Sequence, residues 1–404
     1  MKNDITSKER ILGALEYKDI DYIPCSFMLF FNLYEKCKNQ REFIEEELKL
    51  GLDAVVNVGK LSHSLHKDIK YNEWVEEKDG NKYFCRKFET PKGLLTQKVI
   101  QRNGWPIEGD FPIFADRIVP RAKEVLVKPE EDLEKLKYLL GSFRKEDIEY
   151  LKEESKVAEK IAKKHNLLQA AGLIGMGNIG MAKGYVGEST YQIVGADVMA
   201  WLSGYESIMT LSLLKPEIIK EYAKDIHDWT MKQIEIYLDV TDVDLIVRRA
   251  WYETTEFWTP EAYKNIIAPT IKKEADLVHQ AGKKYGYIIT SAFLPIIDYI
   301  LDSDVDVLIG LDPEEGKGTD MAIVKEKFYK KKKALWGGVS GAITVETGTE
   351  EETEKAVVEA LKLLSKGGGF ILSPVDNISE NTENAWNNTY KFINTWKRYR
   401  NKIS

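Results

Sequence analysis

The stretch VDLIVRRAWYETTEF, starting at Val243, is an apolar run that breaks into a cluster of charged and aromatic side chains. Four later stretches repeat it: YGYIITSAF from Tyr285, VDVLIGLDPEEG from Val305, ALWGGVSGAIT from Ala334 and GGFILSPVDNIS from Gly368. Parallel strands buried on both faces read as continuous apolar runs, and in a closed βα barrel their carboxyl ends carry the chemistry. Working outward, the strand candidates are Tyr22–Phe27, Asp53–Val58, Leu167–Ile174, Val243–Arg248, Tyr285–Ser291, Val305–Leu311, Ala334–Val339 and Gly369–Ser373. Eight such strands close a (β/α)8 TIM barrel, and 404 residues with 43% hydrophobic content hold one as a single domain.

Helix signals fall between the strands. Thr259-Pro260-Glu261 places a cap and then proline at the first helical position, for a helix running to Gly282. Thr349 and Glu352 have capping-box spacing, for a helix reaching Lys366 and stopped by Gly367 to Gly369. Glu130 to Lys164 reads as one charged outer helix, and Lys330 to Lys333 as a solvated helix end. Two connections exceed a simple crossover. The first, about residues 59–129 after strand two, alternates and turns at Pro91-Lys92-Gly93 like a hairpin. It is expected to be an inserted β excursion that packs over the barrel mouth or joins a homodimer contact. The second, about residues 175–239 after strand three, contains GMGNIGMAKGYVGEST and then amphipathic helices, hence a helical insertion. Its glycines lack the short βαβ unit and following acid of a dinucleotide loop.

A net charge of −7 with dispersed lysines and arginines sets up no face for a nucleic-acid backbone. The charged amino terminus and the lack of any long apolar run predict a soluble, cytoplasmic protein without membrane association. Cys25, Cys37 and Cys85 are too few and scattered for a disulfide framework or a CxxC metal site. His63, His66, His165, His227 and His279 form no metal motif, so a zinc site would have to be built mainly from carboxylates.

The densest functional group is Arg248, Arg249, Trp251, Tyr252, Glu253 and Glu256. Neighbours on a strand face opposite ways, so at most one of the two arginines points inward, where it can bind a carboxylate or phosphate; the other pairs with an acid between strand and helix. Glu253 is a candidate general base or metal ligand, and equally the acid of an internal ion pair that fixes its loop. Asp376 and Asn377 follow Pro374 and either hold an Asx-type turn or reach the ligand. Asp312 is another inward acid, and Gly337 to Gly341 allow close backbone approach.

At these strand ends the chain resembles the uroporphyrinogen decarboxylase superfamily over nearly its full length. SKERILGALEYKDIDYIP at Ser7 to Pro24 is similar to the family's opening segment. FETPKGLLTQ at Phe88 to Gln97 and PEEDLEKLKYLL at Pro129 to Leu140 resemble its corrinoid-dependent methyltransferase branch. The stretch where porphyrinogen decarboxylases carry arginines reads CSFMLFFNLYEK, without one. The thiol-activating zinc enzymes carry His-x-Cys after strand five and Cys after strand eight. Here those places are Thr290-Ser291-Ala292 and Val375-Asp376. The resemblance therefore implies a methyltransferase that moves a methyl group from a small donor, an aryl methyl ether or methylamine, to cobalamin on a separate corrinoid protein, with zinc left open. Strand-end position assigns catalysis to Glu253, Tyr252 and Asp376, and substrate contacts to Arg248, Arg249, Trp251, Glu256, Tyr287, Ser291, Asp312, Trp336, Ser340 and Asn377. The competing readings are a decarboxylase or lyase gripping a carboxylate with Arg248 or Arg249, and a non-catalytic barrel that binds a tetrapyrrole or corrinoid.

Overall fold

The apolar runs become neighbouring strands of one parallel sheet. A computed structural model describes residues 5–27, 29–61, 65–101, 111–172 and 193–401. In chain order the strands are β1 (Val55–Asn57), β2 (Lys70–Lys78), β3 (Asn81–Thr90), β4 (Gly93–Gln101), β5 (Ala122–Glu124), β6 (Leu168–Ala171), β7 (Leu245–Arg249), β8 (Lys284–Ile288), β9 (Val307–Leu311), β10 (Ala334–Ser340) and β11 (Phe370–Val375). The parallel sheet has the order β1-β6-β7-β8-β9-β10-β11. It is curled, and helices cover its outer face. Val55, Leu168, Ala170, Leu245, Val247, Ile288, Val307, Ile309, Ala334, Trp336 and Ile371 form one buried cluster on the inner face. Alternate residues such as Ile246, Tyr285, Tyr287, Leu308 and Leu372 join the larger cluster beneath the helices. Both faces are apolar, so the strands read as continuous runs.

The first strand candidate, Tyr22–Phe27, is not a regular strand. It is extended and bridges the two edges of the sheet: Ser26 N–H donates to Leu372 O (3.0 Å), Leu372 N–H to Pro24 O (2.9 Å) and Asp53 N–H to Cys25 O (2.8 Å). Pro24 has no N–H to give, and the N–H of Cys25 is taken by the Asp53 carboxylate at 3.1 Å, so the ladder is interrupted. Arg10 holds that carboxylate from the other side at 2.6 Å. Of the third candidate, Leu167–Ile174, Leu168–Ala171 is strand and residues 173–174 lie outside the described residues. So do GMGNIGMAKGYVGEST and His63.

Between β1 and β6 the chain forms a four-stranded antiparallel sheet, β2-β3-β4-β5. The turn at Pro91-Lys92 joins β3 to β4, with Thr90 opposite Gly93. The outer strand β2 was not legible because almost all of it is exposed and five of its nine residues are charged. The stretch Glu130 to Lys164 is two helices, Pro129–Leu140 and Lys145–His165, because Gly141 between them takes φ +61. Helices Ala196–Ser203, Tyr205–Leu214 and Pro216–Val240 lie between β6 and β7. The two capping signals hold: Thr259 Oγ1 accepts from Ala262 N–H at 3.1 Å, and Thr349 and Glu352 form the reciprocal box. The latter helix ends at Leu364, and Gly367 to Gly369 all have positive φ. Among the described residues no helix is long and apolar enough to cross a membrane.

One buried group makes the fold sensitive to pH. Glu47, on helix Gln40–Leu50, is fully buried, and neither carboxyl oxygen has a hydrogen-bond partner among the described residues. Burial raises its pKa well above the usual 4.5. Its folded pKa exceeds the unfolded one, so Glu47 favours the fold most at pH values below the unfolded pKa, and the contribution is lost as pH rises toward the folded pKa. Glu47→Gln is therefore expected to gain thermal stability over the wild type as pH rises from acid, where the unfolded carboxyl is protonated, to neutrality. Thermal unfolding of both proteins across that range checks it; a gap independent of pH would contradict the assignment.

Candidate active site at the carboxyl ends of the strands

The two arginines of β7 separate as strand geometry requires. Leu245 and Val247 lie in the inner cluster, and Arg249 continues that face. Arg248 points outward beneath the helices. Its Nη1 donates to Glu274 Oε1 at 2.6 Å, from helix Ala268–Gln280, and to Thr270 Oγ1 at 3.2 Å; its Nη2 donates to Glu253 Oε1. Glu253 also accepts from the Ala196 backbone N–H (2.7 Å) and from the Tyr287 hydroxyl (2.7 Å), which contacts the Tyr263 hydroxyl at 3.1 Å. Glu274 further accepts from the Tyr285 hydroxyl at 2.6 Å and meets His227 Nδ1 at 3.0 Å. Burial opposes its ionisation, but Arg248, His227 and Tyr285 outweigh this and hold it below the usual carboxylate range. Gly195 borders the cluster, where a Cβ would fall on Arg248 Nη2 and Glu253 Oε1.

Arg249 turns into the mouth and forms ion pairs with Asp197 and Asp116. Asp197 also accepts from the backbone N–H groups of Trp251 (3.2 Å) and Tyr252 (2.9 Å). Burial, against the pull of Arg249, raises the Asp197 pKa to about 7. The guanidinium lies 4.3 Å from the Trp251 ring centre, 4.8 Å from that of Trp201 and 5.3 Å from that of Tyr252. Tyr252 packs with Tyr205 and Phe257 at 4.9 and 5.5 Å, and burial, then Asp116, raises its hydroxyl pKa. Trp251 and Tyr252 stay partly exposed at the rim.

The loops after β9 and β11 are acidic. In β9 the pairing slips where Gly310 takes φ +103; a Cβ there would lie 2.8 Å from Thr290 Cγ2. Leu311 consequently packs under the helices and Asp312 follows on the inner side. Asp312 Oδ1 accepts the N–H groups of Glu314 and Glu315, each at 2.8 Å. Asp376, in the left-handed region at φ +61, is open to solvent yet hemmed in by the concave wall. Loss of hydration there, then the charges of Glu315 and Asp312 against that of Arg249, raises its pKa to about 6. Burial and Asp312 likewise raise Glu315. Beside them Glu256 accepts from Ser291 at 2.8 Å and pairs with Lys317; burial opposes its charge, but these two partners win and its pKa is lowered.

The predicted residues thus fall into distinct places. Arg249, Trp251, Tyr252, Glu256, Ser291, Asp312 and Asp376 gather around the strand ends. Arg248, Glu253 and Tyr287 form the buried brace behind β7 and β8. Trp336 fills the interior, its indole N–H donating to Ser26 O at 2.8 Å. Ser340 caps the turn after β10 by accepting from Ile343 N–H, and Asn377 Oδ1 accepts from Phe31 N–H at 3.2 Å. Sequence reasoning missed Asp116, Asp197, Tyr205, Glu315 and Lys317. A lone acid in the apolar run ADVMAWLS was a signal for Asp197; Asp116 had none, because its arginine lies 133 residues away.

Metal chemistry is constrained by the donor set. Among the described residues no three His, Cys, Asp or Glu side chains are grouped as a metal ion needs.

Fold and site define an α/β protein whose polar side chains collect where a curled parallel sheet ends. The chain belongs to the uroporphyrinogen decarboxylase family: the family model Uroporphyrinogen decarboxylase (URO-D) matches residues 196–398, half of the chain. Among solved structures, a methyltransferase from Methanosarcina mazei is similar over 98% of this chain and 99% of its own, with TM-score 0.57 and 14% identity, a likeness of fold. A sugar phosphate isomerase/epimerase from Parabacteroides distasonis overlaps 62% of this chain and 77% of its own at TM-score 0.35 and 11% identity, too loosely to carry an argument. No curated protein matches the chain.

Two outcomes follow from the geometry. Gly195→Ala forces apart the Arg248–Glu253 pair and is expected to cost at least about 3 kcal/mol in denaturant unfolding, the scale of a broken buried ion pair. The Asp376 carboxyl is expected to titrate near pH 6 in carboxyl carbon NMR, and at lower pH in Asp312→Asn, since one neighbouring negative charge is gone. An unchanged midpoint would remove Asp312 from its surroundings.

Proposed function

We propose that the protein is a methyltransferase that takes a methyl group from a small methylated donor and passes it to cobalamin carried by a separate corrinoid protein. Membership of the family and the shared fold with a methyltransferase support the reading. The observation that carries it is the pairing of both β7 arginines: Arg248 is held by Glu253 and Glu274, Arg249 by Asp197 and Asp116. Neither is left to grip a substrate carboxylate as a decarboxylase or lyase requires, and the mouth keeps acids and aromatic rings. We read the scaffold as a (β/α)8 barrel whose first strand is the Pro24–Ser26 bridge, with the antiparallel sheet and the helices after β6 as its two insertions.

The reduced corrinoid of the partner would supply the electron pair for the new bond to the methyl carbon. The chain's own task is to hold the donor so that its methyl group faces out of the mouth, and to stabilise the heteroatom that retains the old bonding pair. Trp251 and Tyr252 stand at the rim beside Arg249, and the exposed Glu315 and Asp376 follow β9 and β11. For an oxygen leaving group, Asp376, near pH 6 in its proton affinity, is the proton donor. Glu253, its carboxylate held by the Ala196 N–H, Arg248 and the Tyr287 hydroxyl, acts through position: it ties the helix that begins at Ala196 to β7 and so places Asp197 beside Arg249.

The test is a screen of ether, amine and thioether donors with reduced cobalamin, free and protein-bound, read by the change in corrinoid absorbance. Transfer from at least one donor is expected, together with a loss of about a hundredfold or more in Asp376→Asn if an oxygen leaving group is used. No transfer from any donor would refute the reading.

A further inference from the structure

Asp116 stands where the first insertion returns to the barrel. It opens the short 3-10 helix Asp116–Arg121 that leads into β5. On the insertion side, Arg86 of β3 donates to the Pro112 carbonyl at 2.8 Å and ties this stretch to the antiparallel sheet. On the barrel side the Asp116 carboxylate forks. Its Oδ1 accepts from the indole N–H of Trp201 on helix Ala196–Ser203, and its Oδ2 accepts from Arg249 Nη2. Partners 85 and 133 residues away in the chain thus meet on one side chain.

Neutralising Arg249 does not account for this contact. Asp197, itself fully buried, already pairs with the guanidinium through Nη1, and a second acid on the same cation brings like charges together. The Asp116 side chain is 37% exposed, so its charge keeps much of its hydration and the pair adds little stability. What Asp116 adds is direction. A planar guanidinium held at Nη1 can tilt about that contact, whereas an acceptor at Nη2 from another element fixes its plane. That plane sets the face offered to Trp251 at 4.3 Å and to Tyr252 at 5.3 Å. We propose that Asp116 is a positioning residue for the mouth: by fixing the Arg249 guanidinium it sets the Trp251 and Tyr252 rings, so that the inserted sheet helps to shape the place where the donor is received. Its kinetic consequence rests on the methyl-transfer reading; its structural consequence does not.

The test uses the full chain labelled with 5-fluorotryptophan and read by fluorine NMR, with the Trp201 and Trp251 resonances assigned through their phenylalanine variants. Asp116→Asn replaces one oxygen by an amide group that cannot accept, so one arm of the fork opens. The Trp251 resonance is expected to move, because its ring meets Arg249, while those of Trp336 and Trp396, buried elsewhere, stay in place. An unmoved Trp251 resonance overturns the proposal; so does equal movement of Trp336 and Trp396, which marks a merely structural role. Should Asp116→Asn fail to fold, Asp116→Glu, which keeps the charge but lengthens the side chain, decides by the same resonances. With a donor that the wild type accepts, Asp116→Asn is expected to raise KM about tenfold and to leave kcat within about twofold. A fall in kcat at constant KM would place Asp116 in the chemical step and overturn the positioning role. The two readings fail separately: absence of transfer from every donor sinks the methyl-transfer reading, and the resonances still decide this one.

Discussion

The guanidinium of Arg248, buried between Glu253 and Glu274, is the interaction on which the strand-end architecture depends. A charge in that environment is tolerated only when its partners are close and their remaining lone pairs are satisfied. Here the partners come from the loop after β7 and from helix Ala268–Gln280, and their second bonds reach the Ala196 N–H and the hydroxyls of Tyr287 and Tyr285. One buried cation thereby ties together two strands, a loop and two helices. Gly195 is compelled because no side chain fits beside the pair.

The brace decides what reaches the mouth. Once the helix beginning at Ala196 is anchored on Glu253, Asp197 is delivered to Arg249 and also receives the Trp251 and Tyr252 N–H groups. The loop after β7 is then held in a shape that presents its rings at the rim. Two aspartates on one arginine leave that side of the mouth with excess negative charge, and the loops after β9 and β11 add three acids that join no ion pair among the described residues. An acid-lined cleft of this kind raises carboxyl pKa values and attracts cations for the same reason: hydration is reduced and like charges crowd.

Much of this was legible because strand patterning is local. The five apolar runs from Val243 onward placed β7 to β11, and the rule that adjacent strand residues face opposite ways foretold one inward arginine and one paired beneath the helices. Capping at Thr259 and Thr349 was equally readable from a few neighbouring residues. Trp336 and Tyr287, assigned substrate contacts from their strand-end positions, are both buried, a difference with one shared reason. An aromatic side chain on a strand looks the same in sequence whether it fills the interior, lies under helices or lines a mouth, and only the register of the neighbouring strands separates these cases.

The amino-acid sequence by itself determined the parallel-sheet class, most strand positions, several helix ends and the concentration of polar groups where strands stop, because these follow from short-range periodicity and turn chemistry. Only the tertiary structure decided that Glu253 braces, that Asp116 and Asp197 share Arg249, and that the charge of Asp312 acts on Glu315 and Asp376. Those outcomes depend on charges brought together from distant parts of the chain. Their energies are set by burial, which no local pattern encodes.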